Sequence, residues 1–310
     1  MPDLSAPITL NVPLMKDKPK RAGRLILDEP ARGSWNMAVD AAILESIQPD
    51  DPPTLRFYRW SKPTLSLGYF QASDDRSRHA SSQGIDWLRR STGGGAIVHD
   101  RELTYSLVLP QAEGSHGADH SLYDTVHQAV INALQTIGIK ATRSGSMSKA
   151  FDPIEPFLCF QRRTDQDLIV SGYKVLGSAQ RRGAKGILQH GSLLICASQA
   201  APELPGLLNL DGRLQTQGIL QTEDKEGTKR ECADPNLTEL ATLAAMPSAN
   251  IELATKYESI CEKLMTGIAA EIATTWRIDW SAERLRQGEK ERAQTIEENR
   301  FTQPLWNFKR

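Results

Sequence analysis

Within this 310-residue chain the stretch from Leu88 to Pro110, LRRSTGGGAIVHDRELTYSLVLP, leaves the fewest options open. Gly93, Gly94 and Gly95 follow two arginines and precede an alternating apolar run, Leu103, Tyr105, Leu107 and Leu109. Glycine loses more backbone entropy on folding than any other residue, so three together between strands mark a left-handed turn or a close approach to the backbone. Arg90 before the triplet, and His99 and Asp100 after it, place polar chemistry at strand ends, where rigid scaffolds carry functional loops.

A second block runs from Asp167 to Ile195, DLIVSGYKVLGSAQRRGAKGILQHGSLLI. Its Ser171-Gly172 pair suits a tight hairpin turn, and Lys174 follows that turn. Together the two blocks resemble the signature of the lipoate ligase, octanoyltransferase and biotin ligase superfamily. Its members hold a medium-chain acyl group with an Arg-rich strand, a GG loop and a His-Asp pair, followed by Lys, Gly-Ser-Ala and His-Gly. The resemblance covers about 24–196 well and about 250–308 weakly. It implies the biotin/lipoate ligase catalytic fold, with Arg90, Gly93, Gly94, Gly95, His99, Gly177, Ser178, Ala179 and His190 binding the substrate.

The residue types set bounds of their own. Thirty-seven basic against 38 acidic residues give no global reason to expect a nucleic acid or an anionic membrane as partner. No apolar run approaches the ~20 residues that cross a bilayer, and the first residues lack signal-peptide character, so a cytoplasmic location is expected. Cys159, Cys196, Cys232 and Cys261 are scattered without a CxxC pair, which argues against a zinc site or a disulfide scaffold. There is no GxxxxGK[ST] motif and no GxGxxG spacing, hence no nucleotide fingerprint.

Strands are expected at 23–29, at 54–60 and 64–70 as a hairpin across Ser61-Lys62-Pro63, at 103–109, as a hairpin over 167–182, and at 186–196. Helices are expected at 34–47 with Ser34 as cap, at 73–83, at 120–138, along Leu253, Tyr257, Ile260, Cys261, Leu264, Ile268 and Ile272, and over 281–299. Asn36 and Asp40 read as a solvated face, His116 and His120 as surface, and Cys261 as core. Residues 1–22 read as a disordered lead-in and 199–249 as a loop-rich insertion within a single domain, 23–310. Without a βαβ rhythm, the class is α/β (α+β): a mixed, largely antiparallel sheet flanked by helices.

Cys159, in EPFLCFQRRTDQDLIV, separates the branches of the resembling family. Members that move an octanoyl group through a thioester carry a cysteine shortly before the DLIV-type strand; ATP-dependent lipoate ligases do not. A free cysteine titrates near ~8.5 and needs a nearby cation or base to act as a nucleophile. Lys174 is that cation, placed to stabilise an oxyanion as well. The implied reaction takes an acyl group from an acyl carrier protein or another acylated protein to Cys159. It then delivers it to a lysine of a lipoyl-domain or glycine-cleavage H-type protein, with no cofactor. His99 and His190 are both open as the base for that lysine. The alternatives are a lipoate ligase using ATP and magnesium with Lys174 on an acyl-adenylate, and a non-catalytic acyl-binding scaffold. Gly95 and Tyr173 stand where such octanoyltransferases commonly carry arginine, which leaves lipoyl against octanoyl open. Arg181, Arg182 and Lys185 form a small basic group suited to an acidic carrier protein or a lipoyl domain.

Overall fold

Alternation in the central strands decides how the chain is layered. In a computed structural model describing residues 19–111, 119–145, 155–210 and 251–310, strand β6 (Glu102–Pro110) turns Leu103, Tyr105 and Leu107 to one face and Glu102, Thr104 and Ser106 to the other. Both sets are buried. Its neighbours repeat the pattern. β2 (Thr54–Tyr58) sends Leu55 and Phe57 to the apolar face and Arg56 and Tyr58 to the polar one, and β10 (Gly186–Leu194) places His190 and Ser192 on that polar face.

These strands form the middle of an eight-stranded sheet. Its order is β11 (Ile278–Ala282), β1 (Arg21–Leu27), β2, β6, β10, β9 (Tyr173–Arg182), β8 (Leu168–Val170), β7 (Thr142–Arg143). Only β11–β1 and β1–β2 run parallel, so the sheet is mixed and largely antiparallel, as expected. A smaller sheet, β4 (Asp86–Arg89), β3 (Thr64–Leu67), β5 (Ile97–His99), carries the glycine loop between its β4 and β5 strands.

The apolar face packs against α2 (His120–Thr136) and α3 (Ile251–Trp276). On α3, Cys261 is fully buried in that core, and burial pushes its thiol up to about 12, as suits a packing residue. The polar face is covered by α1 (Gly33–Ser46) and α4 (Gln287–Ile296). A short helix, α5 (Pro304–Asn307), closes the chain against β4: Asn307 accepts from the Arg89 backbone through its side chain and from the Arg89 guanidinium through its carbonyl.

Several expectations are corrected. β2 and β3 are not a hairpin: they lie in different sheets, because each is buried along its length and takes two strand neighbours. Ser34 does not cap α1; Arg32 precedes the helix, and the Ser34 hydroxyl donates to Glu297 at 2.6 Å, whose carboxylate sits at the helix's positive end. Residues 73–82 form two 3₁₀ turns in place of a helix. The expected helix over 281–299 begins only at Gln287, since 278–282 pair with β1. Asn36 and Asp40 are buried, not solvated. The 171–172 turn is as expected, with both residues left-handed (φ 48° and 83°). The lead-in up to residue 18, His116 and residues 211–249 lie outside the described residues; 199–210 are turns and one helical turn, half of them buried.

Arg24 of β1 grips Glu289 of α4 in a two-pronged pair, 2.7 and 2.9 Å, with both side chains almost wholly buried. Losing Arg24 leaves the buried Glu289 without its cation, and losing Glu289 leaves Arg24 with the partly exposed Glu283 at 2.8 Å. We expect Glu289→Ala to lower the unfolding free energy by about 3 kcal/mol in a denaturant titration, and Arg24→Met with Glu289→Leu to recover most of it. Equal losses in the single and double variants would show that the pair does not tie the helix down.

Candidate active site

The glycine loop owes its shape to one arginine. Arg90 is 2% exposed, and its guanidinium donates to the carbonyls of Ser66 (3.0 Å), Gly93 (2.6 Å) and Gly95 (2.8 Å) and to the Ser66 hydroxyl (3.1 Å). Gly94 completes the loop with φ 93°, and its carbonyl lies where a Cβ on Gly68 would stand. Burial lowers the Arg90 guanidinium to about 10, which leaves it charged at neutral pH; attraction to Cys159 opposes the lowering.

Cys159 begins a 3₁₀ turn, Cys159–Gln161, strapped to the same loop. Its N–H donates to the Ala96 carbonyl at 2.7 Å, and the Ala96 N–H donates to the Phe157 carbonyl at 3.1 Å. From the other side comes Lys174, on β9, just past the 171–172 turn. Its Nζ lies 2.8 Å from Asp167 Oδ2, 3.1 Å from the Cys159 carbonyl, 3.3 Å from the Arg162 carbonyl and 3.8 Å from Cys159 Sγ. The lysine can lie flat along its strand because Gly177 has no side chain: a Cβ there would be 2.9 Å from Lys174 Cε.

Between these elements lies a pocket of about 430 Å³, its open mouth included. Cys159, Arg90, Gly93, Gly94, His99, Gly177, Ser178, Ala179 and His190 line it. Two expected residues stand behind its wall. Gly95 backs the cysteine turn, and Lys174 is tucked beneath the sulfur.

The histidines differ in what their rings can still do. His99 is stacked on Trp60 (3.8 Å between centroids), with Nδ1 2.7 Å from Glu102 and Nε2 2.8 Å from Ser66 Oγ. Burial lowers its pKa against the opposing pull of Glu102, so it is a neutral ring held at both nitrogens. His190 presents Nδ1 to Asp40 Oδ2 at 3.3 Å and Nε2 to Thr92 Oγ1 at 2.8 Å. Asp40 also receives Arg56 (2.7 Å), Ser106 (2.8 Å) and Tyr58 (2.9 Å). Burial pushes the Asp40 carboxyl up, but Arg56, His190 and Ser106 outweigh it and hold it below the usual carboxylate range. The result is an ionised carboxylate facing Nδ1, which orients the ring and favours the tautomer with its proton on that nitrogen.

Asp40, Thr92 and His127 were not among the expected site residues. His127 lies under Ser178, with Nε2 2.7 Å from its hydroxyl and Nδ1 2.6 Å from the Gln166 carbonyl; burial lowers it to about 4. A polar residue on the inner stripe of an otherwise apolar helix is the signal that could have found both Asp40 and His127. The basic group splits up: Arg181 donates to the Ser91 carbonyl at 2.6 Å and Lys185 to Gln48 at 2.7 Å, both half-buried. Among the described residues no three His, Cys, Asp or Glu side chains converge as a metal site, and no helix is long and apolar enough to cross a membrane.

Comparison with known proteins places this geometry. The profile of the lipoyl protein ligase A/B catalytic domain matches residues 32–264. An octanoyltransferase LipM of Brevibacillus brevis is 28% identical over 295 residues, which cover 93% of this chain and 99% of that protein. One from Oceanobacillus iheyensis is 38% identical over 171 residues, covering 53% of this chain and 60% of that protein. Among solved structures, lipoate-protein ligase A bound with ATP superposes with a TM-score of 0.62 at 23% identity, over 93% of this chain and 98% of the other. The bi-partite lipoate protein ligase of Thermoplasma acidophilum gives 0.60 at 24% identity, over 93% and 96%. Likenesses at that identity show a common fold, and with a profile match spanning most of the sequence the chain belongs to the lipoyl protein ligase A/B catalytic domain family.

Proposed function

We propose that this protein is an octanoyltransferase of protein lipoylation that works through a cysteine acyl-enzyme, with no nucleotide. The observation that carries the reading is the Cys159 sulfur 3.8 Å from the Lys174 ammonium at the wall of the glycine-loop pocket. The similarity to octanoyltransferases named LipM supports the same reaction. The thiolate attacks the carbonyl carbon of a carrier-bound octanoyl thioester. The tetrahedral oxyanion collapses, the carrier's C–S bond breaks, and the carrier leaves as a thiolate. Lys174 and Arg90 offer positive charge to the sulfur and to the oxyanion. Exchange of one thioester for another costs little, and passage to an amine is downhill, so neither step needs ATP.

In the second step the neutral amine of a lysine of a lipoyl-bearing acceptor attacks the Cys159 thioester. His190 takes the amine's proton at Nε2, directly or through the Thr92 hydroxyl, and the cysteine leaves as a thiolate. Asp40 is the positioning residue that holds the His190 tautomer.

Incubated with octanoyl carrier protein and no nucleotide, the wild type is expected to gain one octanoyl group that hydroxylamine removes, read by intact mass; Cys159→Ser gains none. ATP-dependent pyrophosphate release with free lipoate, unaffected by that substitution, would assign the ligase reaction in its place. Lys174→Met is expected to slow adduct formation by about 10²–10³ in rapid quench. His190→Gln is expected to form the adduct normally yet pass it to an acceptor lysine about 10²–10³ more slowly, so the acyl-enzyme accumulates. An unchanged second step in that variant removes His190 as the base.

A further inference from the structure

Three cations, Lys309, Arg310 and Arg181, gather on the outer side of the glycine loop above the fully buried Arg89, and none of the four is in an ion pair with a described residue. Lys309 Nζ lies 3.7 Å from the centre of the Tyr69 ring and 4.1 Å from that of Trp306; the Arg310 guanidinium lies 5.2 Å from the Phe70 ring and 5.7 Å from the Tyr69 ring. Arg181 reaches the Ser91 carbonyl, and Arg89 the carbonyls of Gly68, Tyr69 and Gln71. Nearby Arg300, by contrast, pairs with Glu45 at 3.3 Å, a carboxylate it shares with Arg292. Lys309, Arg310 and Arg181 all act on the Tyr69 hydroxyl, which they lower.

In a chain whose net charge is −1, such an unbalanced cluster is a local feature. At its centre Phe70 is 70% exposed, one of few large apolar side chains left to solvent. This ledge adjoins the pocket. The Phe70 ring lies 3.9 Å from where a Cβ on pocket-lining Gly93 would stand, and Tyr69 N–H donates to the Thr92 carbonyl at 2.9 Å.

We propose that this ledge, Phe70 ringed by Lys309, Arg310 and Arg181, is where the acyl donor docks, as an acidic carrier protein whose thioester arm passes the glycine loop to Cys159. The inference rests on the transferase reading above and adds the donor's place to it. Charge on the reacting arm distinguishes donor from acceptor. A carrier presents acidic side chains and a phosphodiester on its arm, both attracted to the cluster. An acceptor lysine arrives as an ammonium, which the same cations repel. Cations at such a rim raise the encounter rate more than the lifetime of the complex, and the gain fades with salt.

The test measures acylation of Cys159 by intact mass with two donors, octanoyl carrier protein and octanoyl-pantetheine. Lys309→Glu with Arg310→Glu is expected to cut loading from the carrier protein at least about tenfold at low salt and to flatten its salt dependence, with loading from octanoyl-pantetheine unchanged within about twofold. Phe70→Ala is expected to slow carrier loading without changing the salt slope. Unchanged carrier loading, an equal loss with both donors, or a loss confined to transfer from preloaded enzyme to the acceptor protein each overturns the donor surface. No adduct on the wild type from either donor overturns the transferase reading itself.

Discussion

A lysine ammonium that is only 6% exposed sets the terms for the rest of the site. A charge taken out of water must be met by an opposite charge and by acceptors for its remaining protons. Lys174 meets Asp167 and two carbonyls, those of Cys159 and Arg162, which belong to a single turn. That turn is therefore wrapped around the ammonium, and the sulfur's position follows from the lysine's need for partners. Asp167 is held in turn by the Thr164 N–H at 2.6 Å, so charge and turn stabilise each other.

The sheet supplies the second condition. Its apolar face is filled by α2 and α3, whereas the opposite face of β2, β6 and β10 carries Arg56, Glu102, Ser106 and His190 out of solvent. Buried polar groups cost stability unless satisfied. Asp40 joins Arg56, Tyr58, Ser106 and His190, and Glu102 joins His99, Thr104 and Ser192 through Oε1, while its Oε2 has no partner among the described residues. The ring of His190 owes its orientation to this network on α1 and β2, far along the chain. A histidine in the role of base proposed for His190 needs such a fixed partner on its other nitrogen.

Period-two alternation made the central strands legible, and the paired left-handed positions at 171 and 172 made the β8–β9 hairpin so. Glycines and arginines at strand ends marked the loop. What stayed illegible were relations between distant segments. Ser61-Lys62-Pro63 has the composition of a hairpin turn, and nothing local tells that it crosses from one sheet to another. Asp40 looked solvated because a carboxylate on a helix usually is; only Arg56, Tyr58 and His190, brought over by two strands, reverse that default. Residues 278–282 sit between helical patterns, and their strand character comes from pairing with β1 across most of the chain.

Gly95 shows how a departure from a family pattern becomes a statement about volume. A Cβ at that position would stand 2.8 Å from Arg162 Nε and 3.0 Å from the Cys159 N–H nitrogen, so any side chain there collides with the cysteine turn as it is folded. Arginine at 95, the residue that octanoyltransferases with this cysteine commonly carry, and the observed Arg162 conformation exclude each other. Arg162 donates from Nε to the Pro156 carbonyl at 2.6 Å and closes the turn over Cys159 from outside. The missing side chain and the inward arginine are one feature. The Arg162 guanidinium is spent on the Pro156 carbonyl and on Glu155, and the glycine loop is left free to approach the Cys159 backbone.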